Sequence, residues 1–160
     1  MNRLLPSHWQ PNLHNLLPGN PAIYNGPSLA QWILYIYLTL ISARSCIHLF
    51  TPDGGAHSIA TIDISGSCGA NIVGLFGQWG AMQLLFAGFL WVLLLRYRGL
   101  LPLILATLML EPLLRGLSGH FKPIISLHTA PGAAFNYAPL PLLAILLYLA
   151  LCPAHDRALK

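Results

Sequence analysis

The stretch ANIVGLFGQWGAMQLLFAGFLWVLLL, from Ala70 to Leu95, contains no charged residue and ends just before Arg96. An apolar run of this length is typical of a helix that crosses a bilayer, which takes about 20 residues. The whole chain is 56% hydrophobic and only 8% charged, whereas soluble domains carry about 25% charged residues. So few charges could not cover the surface of a soluble fold. The composition therefore excludes a soluble globular domain, a disordered chain and a coiled coil, and it predicts an integral membrane protein.

Three further segments are apolar enough to cross a membrane. They run from about residue 29 to 50, 100 to 117 and 135 to 151, and the last is interrupted early by Pro139 and Pro141. Backbone polar groups in lipid must be satisfied within each segment, which favours helices. We therefore expect an all-α integral membrane bundle of four transmembrane helices over residues 28–152. Residues 1–27, which are polar and Pro-rich, and residues 153–160 are expected to be cytoplasmic tails.

The basic residues indicate an orientation, because loops rich in Lys and Arg stay on the cytoplasmic side. With both termini inside, the cytoplasmic side holds Arg3, Arg96, Arg98, Arg157 and Lys160. Aromatic residues that would form a belt at the same interface are Trp32, Trp91, Tyr97 and Tyr148. The scattered arginines form no basic stripe that could follow phosphates, so a nucleic-acid partner is not expected.

Polar side chains gather in the non-cytoplasmic half of this topology. Arg44 and His48 are four residues apart and share one face of the first helix, as Glu111 and Arg115 do on the third. The turn Asp53-Gly54-Gly55 requires positive φ and is expected to place the Asp53 carboxylate near Arg44 or His57. The candidate ligand-binding residues are Arg44, His48, Asp53, Gln78, Glu111, Arg115 and Lys122.

Glu111 is the deepest of these ionisable groups, and Arg115 is its expected partner. A charged group inside a span costs roughly 2.5–3.5 kcal/mol and usually faces the bundle interior with a partner. Pro112 frees the carbonyl of Leu108 and kinks the helix. Two interpretations stay open: a structural ion pair between helices, or a functional pocket.

The histidines and cysteines give no cofactor signature. No His-x-x-x-His pair and no CxxC pair occurs, so neither a metal site nor a bound cofactor is expected. Cys46 and Cys68 fall at the outer ends of their helices, where a disulfide and two free thiols are both open alternatives. Small residues on the second helix, which would allow another helix to approach closely, are Gly74, Gly77, Gly80, Ala81 and Gly88.

A set of short motifs carries a resemblance to a known group. The motifs are PDGGA (52–56), FGQWG (76–80), RYR (96–98), Glu111-x-x-x-Arg115, GHxKP (119–123) and PGAxxNY (131–137). As a set they resemble uncharacterised small four-helix bacterial inner-membrane proteins, loosely similar in plan to the DoxX-like proteins. The resemblance spans about residues 46–152 and implies an inner-membrane location, but it implies no activity.

The leading hypothesis is a multi-pass membrane protein with a polar pocket on the non-cytoplasmic side. The pocket would bind a small or lipid-like ligand or support a membrane complex, with membrane lipid, a membrane-protein partner or a second copy of the chain as partners. One alternative is a small membrane enzyme that acts on a lipid or quinone by acid/base chemistry. The other is a purely structural subunit of a membrane complex, so the enzyme question stays open.

Overall fold

A computed structural model describes residues 2–129 and 137–154, and all regular secondary structure within these residues is helical. The four α-helices are α1 (Ser28–Phe50), α2 (Gly69–Arg96), α3 (Leu101–Phe121) and α4 (Pro139–Leu151). Two short 3₁₀ turns cover Leu13–Leu16 and Arg98–Leu100. The predicted all-α class is confirmed over this part of the chain.

Three helical stretches, α1, α2 and Arg98–Phe121, are long and apolar enough to cross a membrane, and α4 is a shorter apolar helix. α1 and α2 agree with their predicted bounds to within about one residue, because each is a mainly apolar segment bounded by turn-forming or charged residues. α3 continues past the expected residue 117 and ends two residues before Pro123, since proline disfavours helical backbone in the residue before it.

α4 begins at Pro139, where the ring is tolerated in the first helical turn. Its expected start near residue 135 lies outside the described residues. So do the expected turn at Pro131 and Gly132, the polar Asn136, and the basic residues Arg157 and Lys160.

The chain divides into two compact units. The first contains residues 1–37, 90–111 and 139–160, and its core includes Leu34, Leu94, Leu101, Ile104, Leu105, Leu143 and Leu146. The second contains residues 38–89 and 112–138, and its buried side chains include Leu38, Ser45, His48, Ala56, Ile62 and Ala87. The helices α1, α2 and α3 each contribute to both units.

The amino-terminal segment, residues 2–27, packs on helix ends of the first unit instead of extending as a tail. At the end of α4, the carbonyl of Leu151 accepts from Asn12 N at 3.1 Å and from Asn15 Nδ2 at 2.9 Å. Ser7 N donates to Pro153 O at 2.8 Å. At the start of α1, Ser28 N donates to Arg3 O at 3.0 Å. Helix ends leave backbone groups unsatisfied, and this segment supplies their partners.

The same segment contributes a buried tyrosine to the first unit. The Tyr24 hydroxyl donates to Pro27 O at 3.3 Å. Burial, with a smaller contribution from Cys152, raises the pKa of Tyr24 above its usual range. The hydroxyl therefore stays protonated and keeps its hydrogen bond across the ordinary pH range.

Two connecting segments of the second unit are joined through Thr61. Its carbonyl accepts from Leu127 N at 2.8 Å, and its Oγ1 donates to His128 O at 2.7 Å. The segment before α2 and the segment after α3 therefore meet within the second unit.

Candidate functional site

The two helices α1 and α2 come into close contact at Gly80. A Cβ atom at this position would lie 2.6 Å from Leu49 N and 2.7 Å from His48 Cβ. Gly74, Gly77 and Gly88, which were expected to share this role, have open space where a Cβ would stand. The close approach therefore depends on one glycine, and it brings the α2 side chains on either side of Gly80 against Arg44 and His48 of α1.

Arg44 lies half-buried beside two side chains of α2. Its guanidinium carbon stands 5.8 Å from the centre of the Trp79 ring, a distance at which a cation is attracted to an indole face. With the Gln83 amide oriented to suit its neighbours, its oxygen accepts from Arg44 Nη2 at 3.2 Å and from Trp79 Nε1 at 3.2 Å. Gln83 thus fixes the Trp79 indole and the Arg44 guanidinium relative to each other.

His48 is the buried aromatic partner of the same group. Its ring centre lies 4.7 Å from that of Trp79 and 5.9 Å from that of Phe76. Its Nδ1 lies 2.8 Å from Gly54 O. A carbonyl can only accept, so Nδ1 carries a proton and donates to Gly54 O, and Nε2 is the ring nitrogen that this bond does not use. We call Arg44, His48, Phe76, Trp79 and Gln83 the arginine–tryptophan cluster.

The turn after α1 brings Gly54 and Gly55 against this cluster. Both have positive φ, at 59° and 76°, as the sequence predicted. A Cβ on Gly55 would lie 3.1 Å from His48 Nδ1, and one on Gly54 would lie 2.9 Å from Phe76 Cβ. Glycine is therefore required here by both the backbone conformation and the available space.

Asp53 organises this turn through its carboxylate. The carboxylate accepts from the backbone N–H groups of Gly55 at 2.9 Å, His57 at 3.2 Å and Ser58 at 2.7 Å. These bonds, that of Ser58 first, hold the pKa of Asp53 well below its usual range. The Asp53 carboxylate therefore contacts the backbone of His57. It stabilises the turn whose Gly54 carbonyl accepts the hydrogen bond from His48.

The structure brings only part of the predicted candidate set together. Arg44, His48 and the Asp53 turn meet within the second unit. Gln78 and Lys122 of that unit are exposed, and Arg115 is half-buried on α3. Glu111, also half-buried on α3, belongs to the first unit. The expected pairing of Glu111 with Arg115 stays a prediction.

Sequence reasoning did not select Phe76, Trp79 or Gln83 as members of the site. Phe76, Gly80 and Gln83 are spaced at i, i+4 and i+7, which places them on one face of a helix. That face matches the i, i+4 pair of Arg44 and His48. The signal was therefore present, but it requires knowing that α1 and α2 cross at Gly80.

The remaining reactive side chains are the thiols and the possible metal ligands. Cys46, Cys68 and Cys152 are free thiols, half-buried, exposed and buried respectively. Burial raises the pKa of the Cys152 thiol. Within residues 2–129 and 137–154, no three histidine, cysteine or carboxylate side chains are grouped so that they could hold a metal ion.

Comparisons with known proteins were made for the whole chain. No protein-family model, curated protein or solved structure matches it. The site is therefore interpreted from its own chemistry: a guanidinium held by Gln83, an indole face, and an imidazole whose Nδ1 donates to Gly54 O. Together these groups can hydrogen-bond and stack against a planar or anionic head group.

Proposed function

We propose that this chain is a multi-pass protein of the inner membrane that binds a small or lipid-like ligand on its non-cytoplasmic side. Three membrane-length helices support insertion. So do the large apolar side chains exposed along them, among them Ile36, Leu40, Leu85, Val92 and Leu114. Side chains of this kind are stable in contact with lipid and unfavourable in contact with water.

The fourth crossing and the orientation are parts of the same proposal. α4 has 13 residues and is about 20 Å long at 1.5 Å per residue. The hydrocarbon core is about 30 Å thick, so this helix crosses with local thinning of the bilayer or with its flanking residues. Both termini are placed in the cytoplasm, on the charge asymmetry given above. The DoxX-like plan is proposed on the motif set alone.

The observation that carries the binding proposal is the environment of Arg44. It lies six residues before the end of α1, about 9 Å along the helix axis. A charged group at such a depth is costly and usually marks a site or a partner. Here it lies beside the Trp79 face and is hydrogen-bonded to Gln83, which fixes the guanidinium plane. A fixed planar donor suits an anionic or carbonyl-bearing head group.

One observation favours the second candidate, a small enzyme acting on a lipid or quinone. His48 donates from Nδ1 to Gly54 O, which orients the ring and leaves Nε2 as its other position for proton transfer. In this alternative Arg44 orients the oxygen of the substrate, and His48 acts as the base. The ligand class is the same for both candidates, and only turnover separates them.

The experiment is native mass spectrometry of the protein gently extracted from its own membrane. We expect a discrete added mass on the wild type, retention of that mass on the Gln78→Ala variant and its loss on Gln83→Ala. Gln78 is the matched control because it is an exposed glutamine on the same helix. An unloaded wild type, or co-migration only with larger chains, contradicts the proposal and supports a structural subunit. Loss from both variants contradicts the assignment of the site.

A further inference from the structure

The amino-terminal segment shows apolar side chains on the surface that faces away from the helices. Leu13 is 76% exposed, Leu17 is 68% exposed and Trp9 is 56% exposed. Leu4, Leu5 and Ile23 are exposed as well. The 3₁₀ turn Leu13–Leu16 buries none of its residues. The segment thus attaches through its backbone, its polar side chains and the buried Pro6, Tyr24 and Pro27, while the six apolar side chains named above stay exposed.

Its position is at one end of the helices of the first unit. It bonds to the start of α1, the end of α4 and the turn between α2 and α3, where Gly99 N donates to Pro21 O at 2.7 Å. In a membrane-spanning protein, these three points lie at one membrane surface. Tyr148 near the end of α4 donates its hydroxyl to Trp9 O at 2.7 Å. Tryptophan and tyrosine are enriched at this level of the bilayer.

The charged side chains at this end of the first unit are basic. Arg3, Arg96 and Arg98 are exposed. The sequence contains no acidic residue before Asp53. Among the described residues of the first unit, Glu111 is the only carboxylate side chain. The surface that carries the exposed leucines is therefore basic as well as apolar.

We infer that the amino-terminal segment lies in the head-group layer of an anionic lipid membrane. Its leucines and Trp9 enter the acyl boundary, and the three arginines pair with lipid phosphates. Combined apolar area and basic charge is the pattern of interfacial elements, and basic side chains near an anionic membrane surface are attracted to it. This inference rests on the membrane insertion proposed above, and it does not depend on the arginine–tryptophan cluster.

The test measures the depth of nitroxide spin labels on variants that carry one introduced cysteine each and are reconstituted in vesicles. Cys46 and Cys68 are replaced by serine, while the buried Cys152 is retained. Labels are placed at Leu13 and Leu17, at Asn20 as an exposed polar control on the same segment, and at Leu85 as a control for insertion. Vesicles contain phosphatidylethanolamine with phosphatidylglycerol, or phosphatidylcholine alone.

We expect labels at Leu13, Leu17 and Leu85 to collide more with oxygen than with a water-soluble nickel complex, and the label at Asn20 to show the reverse. The labels at Leu13 and Leu17 should lie deeper with phosphatidylglycerol than with phosphatidylcholine. In an Arg3→Gln, Arg98→Gln background this difference should shrink.

Each result that would contradict the inference gives a different pattern of label accessibility. Aqueous Leu13 and Leu17 with a lipid-exposed Leu85 overturn the interfacial segment and leave membrane insertion intact. Aqueous labels at all four positions overturn insertion and, with it, this inference. Leu13 and Leu17 shielded from both oxygen and nickel indicate a protein cover and overturn the lipid assignment. Equal depth in both lipid compositions overturns the role of the anionic head group.

Discussion

Gly80 fixes the distance between α1 and α2 because it leaves room for His48 and the backbone of Leu49. We expect Gly80→Ala to lower stability by about 1–2 kcal/mol, since overpacking costs about 1–3 kcal/mol and the gain in helix propensity recovers about 0.5–1 kcal/mol. The measurement is thermal unfolding in detergent. Gly77→Ala is the matched control: its Cβ enters open space, so its melting temperature should stay level or rise. Equal effects of the two substitutions would contradict the assigned crossing point.

The contribution of Asp53 to the stability of the turn after α1 depends on pH. Its pKa is lowered in the folded protein by three backbone N–H bonds, that of Ser58 first. The stabilisation is therefore complete above the unfolded pKa of about 3.9 and is lost as the pH falls through the lower folded pKa. We expect Asp53→Asn to melt at a lower temperature at neutral pH and to lose less stability than the wild type on acidification.

The comparison for this measurement is Asp63→Asn. The Asp63 carboxylate accepts from the hydroxyl and the backbone N–H of Ser65, and the Ser65 hydroxyl is the first cause of its lowered pKa. A smaller change in the pH profile is expected for it. If both variants follow the wild-type profile, the Asp53 bonds do not stabilise the fold.

For individual residues, the sequence predicted local backbone conformation, but it did not predict which residues of α1 and α2 are in contact. The positive φ of Gly54 and Gly55 follows from the Asp-Gly-Gly sequence alone. Which of the glycines on α2 permits the helix contact does not follow, since all are alike in sequence and only the register of α1 selects Gly80. The same register selects Gln83 as the partner of Arg44.

The amino-terminal segment stabilises the end of α4 through side-chain and backbone donors. We expect Asn15→Ala to remove the Nδ2 bond to Leu151 O at a cost of about 1 kcal/mol, and to increase hydrogen exchange of the amides near Cys152. His14→Ala is the control, because that side chain is exposed and adjacent in sequence. Unchanged exchange in Asn15→Ala would show that the α4 end is held by other contacts.

The connection between the two loops of the second unit is expected to depend on the Thr61 hydroxyl. Thr61→Val keeps the shape of the side chain and removes Oγ1, which donates to His128 O and accepts from the His128 amide. The His128 amide should therefore exchange faster. Thr51→Val is the control, since its hydroxyl donates to Ile47 O of α1 at 2.7 Å. Equal protection of His128 in both variants would argue against the connection.

Helices were predictable as elements because each apolar run has clear polar or proline boundaries. The structure of residues 2–27 was not, because its bonds run from backbone to backbone across the chain and leave no periodicity. Asn12 and Asn15 looked like ordinary polar residues of a tail. Their partner is a carbonyl at the far end of the sequence, which no local pattern encodes.

For the whole molecule, the proposed orientation can be tested with a native thiol. Cys68 is exposed before α2, Cys46 is half-buried, and Cys152 is buried with a raised pKa. A membrane-impermeant maleimide should therefore label Cys68 in right-side-out vesicles, and Cys68→Ser should abolish most of the label. Labelling confined to inside-out vesicles would invert the topology and place the arginine–tryptophan cluster toward the cytoplasm.

The Ser7 hydroxyl donates to Pro153 O, and the two residues are 146 positions apart in the chain. This separation determines how late in synthesis the bond can form. Ribosomes add about 5–20 residues per second, so the acceptor carbonyl is made about 7–30 s after Ser7. During that interval Arg3 and Pro21 can already bond to the start of α1 and to the turn after α2, whereas Ser7, Asn12 and Asn15 still lack their acceptors at the end of α4. A chain whose translation stops before Leu151 therefore holds this segment by one set of its bonds and lacks the other.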